Sequence, residues 1–92
     1  MRVPVVVDIE FNEDRRLYLP WRMFRGREAV FLRDQRLERH SRVGRTVYLH
    51  YSALGFEGRY ELAVSLDDRQ WTLLNRASRW SARVWSWVET RA

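Results

Sequence analysis

The chain reads as a mainly β domain, a small antiparallel barrel or curved sheet of five or six strands, SH3-like or OB-like in scale, with a C-terminal helix. An α+β arrangement is the alternative. Three observations point there. Apolar residues recur at every second position through most of the chain, clusters of glycine or acidic residues break those runs at hairpin spacings, and residues 76–92 form a long stretch without glycine or proline.

Val3, Val5, Val7, Ile9 and Phe11 alternate, with Asp8 and Glu10 between the later ones, which is the period of a half-buried strand. Asn12-Glu13-Asp14 reads as a turn. Alternation resumes at Leu17, Leu19, Trp21 and Met23; Pro20 has no N–H to donate, which places this strand at an edge or a bulge. Arg25-Gly26-Arg27 reverses the chain into a strand from Glu28 to Leu32. Residues 33–45, RDQRLERHSRVGR, carry little apolar content and read as a loop, a short helix or a solvated strand. Val47, Leu49 and Tyr51 alternate again, and residues 54–58 hold two glycines suited to a turn. Tyr60, Leu62, Val64 and Leu66 form the next strand, which Asp67-Asp68-Arg69-Gln70 joins to Trp71–Leu74 as a hairpin.

The last segment has two readings. As a helix capped near Asn75 it sets Ala77, Trp80, Val84, Trp87 and Val88 on one face, with Arg76, Arg79 and Arg83 along its flank. Arg83–Thr90 also alternates as a strand. Burying one Trp removes about 150–250 Å² from water, worth at most about 4–6 kcal/mol. Stacking a base on an exposed ring returns about 1–3 kcal/mol. A small domain holds only about 5–15 kcal/mol of net stability, so most of the five Trp belong in the core. Trp80 and Trp87 fit that role, and Trp85, off the helix's apolar face, is the candidate surface ring.

Ninety-two residues with no repeat, linker or low-complexity run make one domain, 1–92. The absence of cysteine excludes disulfides and thiolate chemistry and favours a reducing cytoplasm. The opening MRVPVVVDIEF, broken by Pro4, Asp8 and Glu10, is too short for a signal segment or a membrane span, and no membrane partner is expected. All 17 basic residues are arginine, giving a net charge of +5. A GC-rich genome accounts for the missing lysine; the arginines themselves suit bidentate contact with phosphate or carboxylate and so point to an anionic partner. Residues 15–45 carry ten Arg against three acids, and 76–92 carry four against one, whereas the other two blocks are net acidic.

Arg33, Arg36, Arg39, Arg42 and Arg45 recur at a strict spacing of three, opposed only by Asp34 and Glu38. On a regular strand such a series alternates faces, and only a threefold geometry keeps it on one side. One reading is a solvated segment. The other is a basic arm on phosphates, joined by Arg22, Arg25 and Arg27 around the Gly26 turn; about five such contacts on a duplex backbone give a log–log salt slope near −4 to −5. Tyr18, Trp21, Phe24 and Phe31 lie among the basic residues, an arrangement used by single-strand binders on small barrels and, more often, simply by strands with a core face. Tyr48 falls opposite the Val47 and Leu49 face.

Catalytic signatures are missing. His40 and His50 have no cysteine and no fixed carboxylate spacing, Ser52 has no nucleophile-elbow context, Asp8 and Glu10 read as an acidic solvent face, and no phosphate loop accompanies the glycines. No enzyme activity, metal or cofactor is expected.

Tyr51-Ser-Ala-Leu-Gly55 resembles the later half of the PilZ cyclic-di-GMP motif, with His50 where that family has Asp or Asn, and with no R-x-x-x-R pair before Ser52. Pro4-Val-Val-Val-Asp-Ile-Glu-Phe11, Phe24-Arg-Gly-Arg27, Tyr60-Glu-Leu62 and Asp68-Arg-Gln-Trp-Thr-Leu73 are together similar to small uncharacterised bacterial proteins sometimes encoded near translesion DNA polymerases. That resemblance implies a small β domain in a DNA-repair setting and assigns no residue a role. The leading expectation is a non-catalytic nucleic-acid-binding accessory domain for DNA or RNA, with Arg22, Arg25, Arg27, the 33–45 series and Trp85 as its contacts. The competitor is a protein-interaction or homodimer module for an acidic partner, and cyclic-dinucleotide binding comes third.

Overall fold

The computed structural model describes residues 3–76, which form seven strands: β1 (Val3–Asn12), β2 (Leu17–Arg25), β3 (Glu28–Phe31), β4 (Arg33–Val43), β5 (Thr46–Gly55), β6 (Gly58–Ser65) and β7 (Trp71–Arg76). They make one antiparallel sheet in the order β3-β2-β1-β7-β6-β5-β4. Only Leu32 separates β3 from β4, so the chain leaves one end of this order and at once begins the other. Strand twist curls the sheet into a half-barrel. The Leu32 amide donates to Trp21 O at 2.9 Å, the Arg15 guanidinium donates to Gln35 O at 2.6 Å, and the Tyr51 hydroxyl donates to Tyr18 O at 2.9 Å, which ties β4 and β5 to β2.

The concave side holds the core. Val5, Leu19, Met23, Val30, Leu32, Tyr51, Ala53, Tyr60, Leu62, Val64, Trp71 and Leu73 form one buried cluster, with Val7, Leu17 and Leu49 packed against it. Gly55 is required by this packing. A Cβ there would lie 2.6 Å from Tyr60 Cε2 and 3.0 Å from Val30 Cγ1, so the Tyr60 ring crosses the space a side chain would fill.

Several expectations change. The undecided 33–45 segment is the longest strand of the sheet, which raises the count to seven. It pairs with β5 along most of its length, and that partner, rather than its own composition, makes it a strand. Asn75 does not cap a helix but lies in β7, opposite Glu61. There is no helix among the described residues; the expected helix over 76–92 and Trp80, Trp85 and Trp87 lie outside them, apart from Arg76 at the end of β7. Pro20 does mark a bulge. The β1–β2 register runs Asp8↔Arg22 and then Ile9↔Pro20, leaving Trp21 as the extra residue. A bulge bends its strand, and past this one Ile9 and Phe11 are exposed instead of half-buried.

Candidate nucleic-acid interface

The arginine series of β4 is organised by its pairing with β5. Arg33 lies opposite Leu54, Arg36 opposite Ser52 and Arg39 opposite His50, so three residues of β4 match two of β5 at each step. Two bulges, between Arg33 and Arg36 and between Leu37 and Arg39, absorb the difference. Because Leu54, Ser52 and His50 follow the strand period of two, their partners share a face. The spacing of three, which would scatter arginines over both faces of a regular strand, therefore sets Arg33, Arg36 and Arg39 in one row on the convex side. Leu37, by contrast, pairs with the buried Tyr51 on the core side.

The bulges are held by side chains that fold back on the sheet. Asp34 adopts φ 49°, a left-handed conformation that Asp tolerates better than most residues. Its carboxylate pairs with Arg36 at 3.1 Å and with Arg59 of β6. Burial works to raise the Asp34 pKa, but the hydrogen bond from Arg59 and the charges of Arg36 and Arg59 outweigh it and hold the carboxyl below the usual aspartate range. Gln35 Nε2 donates to Leu32 O at 3.2 Å. At the second bulge, Glu38 Oε1 accepts from the buried Ser52 hydroxyl at 2.5 Å, and Arg59 Nη1 donates to the same hydroxyl oxygen at 2.9 Å. Both carboxylates of β4 are thus engaged with β5 and β6 or with Arg36.

The remaining cations fall into distinct groups. Arg33 and Arg39 are exposed and make no ion pair among the described residues. Arg42 pairs with Val47 on the other face of β4, and Arg45 occupies the Gly44–Arg45 turn, where Gly44 has φ 63°. Arg22 is committed elsewhere: its guanidinium meets Asp8 Oδ2 at 2.6 Å and lies over the Trp21 and Phe24 rings at 4.6 and 5.0 Å. Arg25 and Arg27 belong to the β2–β3 turn, at the opposite end of the 28–43 run from Arg45. The structure therefore sets Arg33, Arg36 and Arg39 on one face, leaves Arg42 and Arg45 at the far end of the same hairpin, and keeps Arg22, Arg25 and Arg27 out of the row: Arg22 lies opposite Phe31 but is bonded to Asp8, and Arg25 and Arg27 flank the Gly26 turn. Trp85 lies outside the described residues.

Sequence reasoning missed Arg59, a lone arginine whose partner Asp34 lies 25 residues away, and it missed the role of His50. His50 Nε2 lies 2.7 Å from Ser41 Oγ on the same face as Arg39. Burial, aided by the charge of Arg39, lowers its pKa and keeps the ring neutral at neutral pH. Tyr48, two residues back along β5, is half-buried on this face opposite Ser41.

Among the described residues there is no group of three or more side chains suited to a metal ion. A half-open pocket lined by Glu10, Phe11, Asn12, Leu19, Trp21 and Gln35 contains one carboxylate and no cation. No described helix is long and apolar enough to cross a membrane. Comparison with family models, with curated proteins and with solved structures finds no match to the chain.

Proposed function

We propose that the chain is a non-catalytic nucleic-acid-binding accessory domain that holds phosphates along the convex face of the β4–β5 hairpin. The observation that carries this reading is the double bulge, which converts a spacing of three into a row of guanidinium groups on one face. Guanidinium is suited to bidentate contact with phosphate oxygens; within the row Asp34 pairs with Arg36 and Arg59, and Glu38 is bonded to Ser52, which leaves Arg33 and Arg39 without an ion pair among the described residues.

Two other readings meet physical objections. A second copy that adds a strand to β4, an edge of the sheet among the described residues, needs an uninterrupted ladder, and bulges are a common way to blunt such edges; an acidic protein partner would use the same arginine row, and the oligonucleotide titration below separates it. A cyclic dinucleotide at the PilZ-like segment needs the Ser52 hydroxyl, which is buried between Glu38 and Arg59.

The test is a salt titration of a fluorescently labelled oligonucleotide against the wild type and the R33Q/R39Q variant. Wild type should bind at low salt, with a log–log slope of about −2 to −3 for three phosphate contacts. The variant should bind more weakly, with the slope reduced by about 1.4 to 1.8 for two lost contacts. Absence of binding at low salt, or a variant indistinguishable from wild type, refutes the assignment.

A further inference from the structure

We infer that the β4 face takes a single nucleic-acid strand in preference to a duplex, an inference that rests on the backbone-binding reading above. The repeat of the row is the first reason. Each step from Arg33 to Arg36 to Arg39 equals two residues of β5, about 7 Å along the sheet. At that interval Arg33 and Arg39 can each meet a phosphate of one extended strand, with Arg36 between them beside the Asp34 carboxylate that pairs with it.

The width of the row is the second reason. Arg36, Ser52 and Glu61 lie side by side on β4, β5 and β6. Neighbouring strands are about 4.8 Å apart, so the half-exposed Glu61 lies two strands, about 10 Å of backbone spacing, from the arginine row. A duplex laid across the face sets its second backbone toward that carboxylate, whereas one strand following β4 stays clear of it. The convex curvature acts in the same direction, because a duplex gains most from a surface that wraps around both of its backbones.

The third reason is the ring beside the row. Tyr48 lies on the same face, two residues along β5 from the partner of Arg39. An unpaired base can stack on an aromatic side chain, an interaction worth about 1–3 kcal/mol per base; in a duplex those base faces are hidden. Phosphates on β4 with bases turned toward β5 give the single strand a defined orientation. Among the described residues β4 is an edge of the sheet, and its two bulges interrupt the ladder that a further protein strand would need.

The experiment is fluorescence anisotropy of the full chain with an oligo(dT) of about 12 nucleotides, a length within the usual site size of such faces, and with a duplex of the same length in the same low-salt buffer. The single strand should bind at least about 10-fold more tightly, the equivalent of about 1.4 kcal/mol. Y48A should lose about 5- to 150-fold in oligo(dT) affinity, with Y48F recovering that loss, and Y48A should still bind heparin, a polyanion without bases, with a circular dichroism spectrum like that of the wild type as the check on folding. If the duplex binds as tightly as the single strand or more so, the single-strand inference is wrong and the backbone-binding reading stands. If neither nucleic acid binds, both are wrong, whether or not heparin does. Should Y48A fail to fold, the comparison of the two nucleic acids on the wild type decides alone.

Discussion

The β1–β2 and β4–β5 hairpins are both antiparallel and both interrupted by bulges, yet the interruptions have opposite results. In the first, the extra residue Trp21 gathers rings around a cation that is already neutralised: Arg22 is bonded to Asp8, lies over Trp21 and Phe24, and faces Phe31 across the β2–β3 ladder. In the second, the carboxylates at the bulges turn onto β5, β6 and Arg36, and leave Arg33 and Arg39 without counter-charges on the surface. One hairpin spends its charge internally and supplies the core with Leu19 and Met23. The other keeps its outer strand almost free of core residues. A bulge therefore does more than bend a strand: it decides which side chains share a face, and the neighbouring carboxylates decide which of those remain available.

If that division is right, substitutions should separate cleanly by hairpin. Met23→Ala should cost about 2–5 kcal/mol in urea denaturation, the range for truncating a fully buried long side chain. Arg39→Ala, on the exposed strand, should stay within about 0.5 kcal/mol; a comparable loss at both positions would abolish the contrast. Next in size, Gly55→Ala forces a Cβ against Tyr60 and should cost about 1–3 kcal/mol, seen as a lower denaturation midpoint with an unchanged m-value.

Ser52→Ala should cost about 1–2 kcal/mol, because it removes the hydroxyl that Glu38 and Arg59 share and leaves both charged groups short of a partner. Faster amide exchange confined to β4 would identify the second bulge as the part released. The smallest effect is on pH dependence. The folded-state pKa of His50 is depressed, so the unfolded chain takes up the proton more readily, and stability should decline as pH falls below about 6.5 and level off once the folded value is passed. H50Q should flatten that part of the profile. Asp34, also depressed, contributes stability that is present above about pH 4 and lost as pH falls through its folded value, so D34N should remove a separate decline at lower pH.

The sequence announces most of the sheet, and the particulars show where it falls silent. Val5, Met23, Tyr51, Leu62 and Trp71 sit in alternating runs and are buried, as their period requires. Ile9 and Phe11 belong to the same run as Val5 and Val7 but are exposed, because a residue inserted in the partner strand changes the geometry and leaves no mark on β1 itself. Pro20 is the one nearby sign. For β4 the problem is reversed: RDQRLERHSRV has almost no apolar content, and its strand character comes from β5. The arginine spacing was visible, but its consequence depends on two bulges, of which only Asp34, a residue type at ease with positive φ, gives a local hint. Arg22 is close to the series in the fold as well as in sequence, opposite Phe31 on β3; what withdraws it from the row is its bond to Asp8, a partner 14 positions away that no local pattern marks.

The continuity of β3 and β4 through Leu32 has a consequence for how the molecule opens. The N-terminal meander β1–β3 and the C-terminal meander β4–β7 are joined covalently at that buried leucine, and across the sheet by the short β1–β7 ladder of Val3, Pro4 and Val5 with Leu73, Thr72 and Trp71. The Leu32 amide, Arg15 and Tyr51 add hydrogen bonds between the two meanders, and the shared core packs across them. Amide exchange should be faster along this three-pair seam than along the longer β4–β5 and β5–β6 ladders, while the core that both meanders share keeps them together until the sheet opens as a whole.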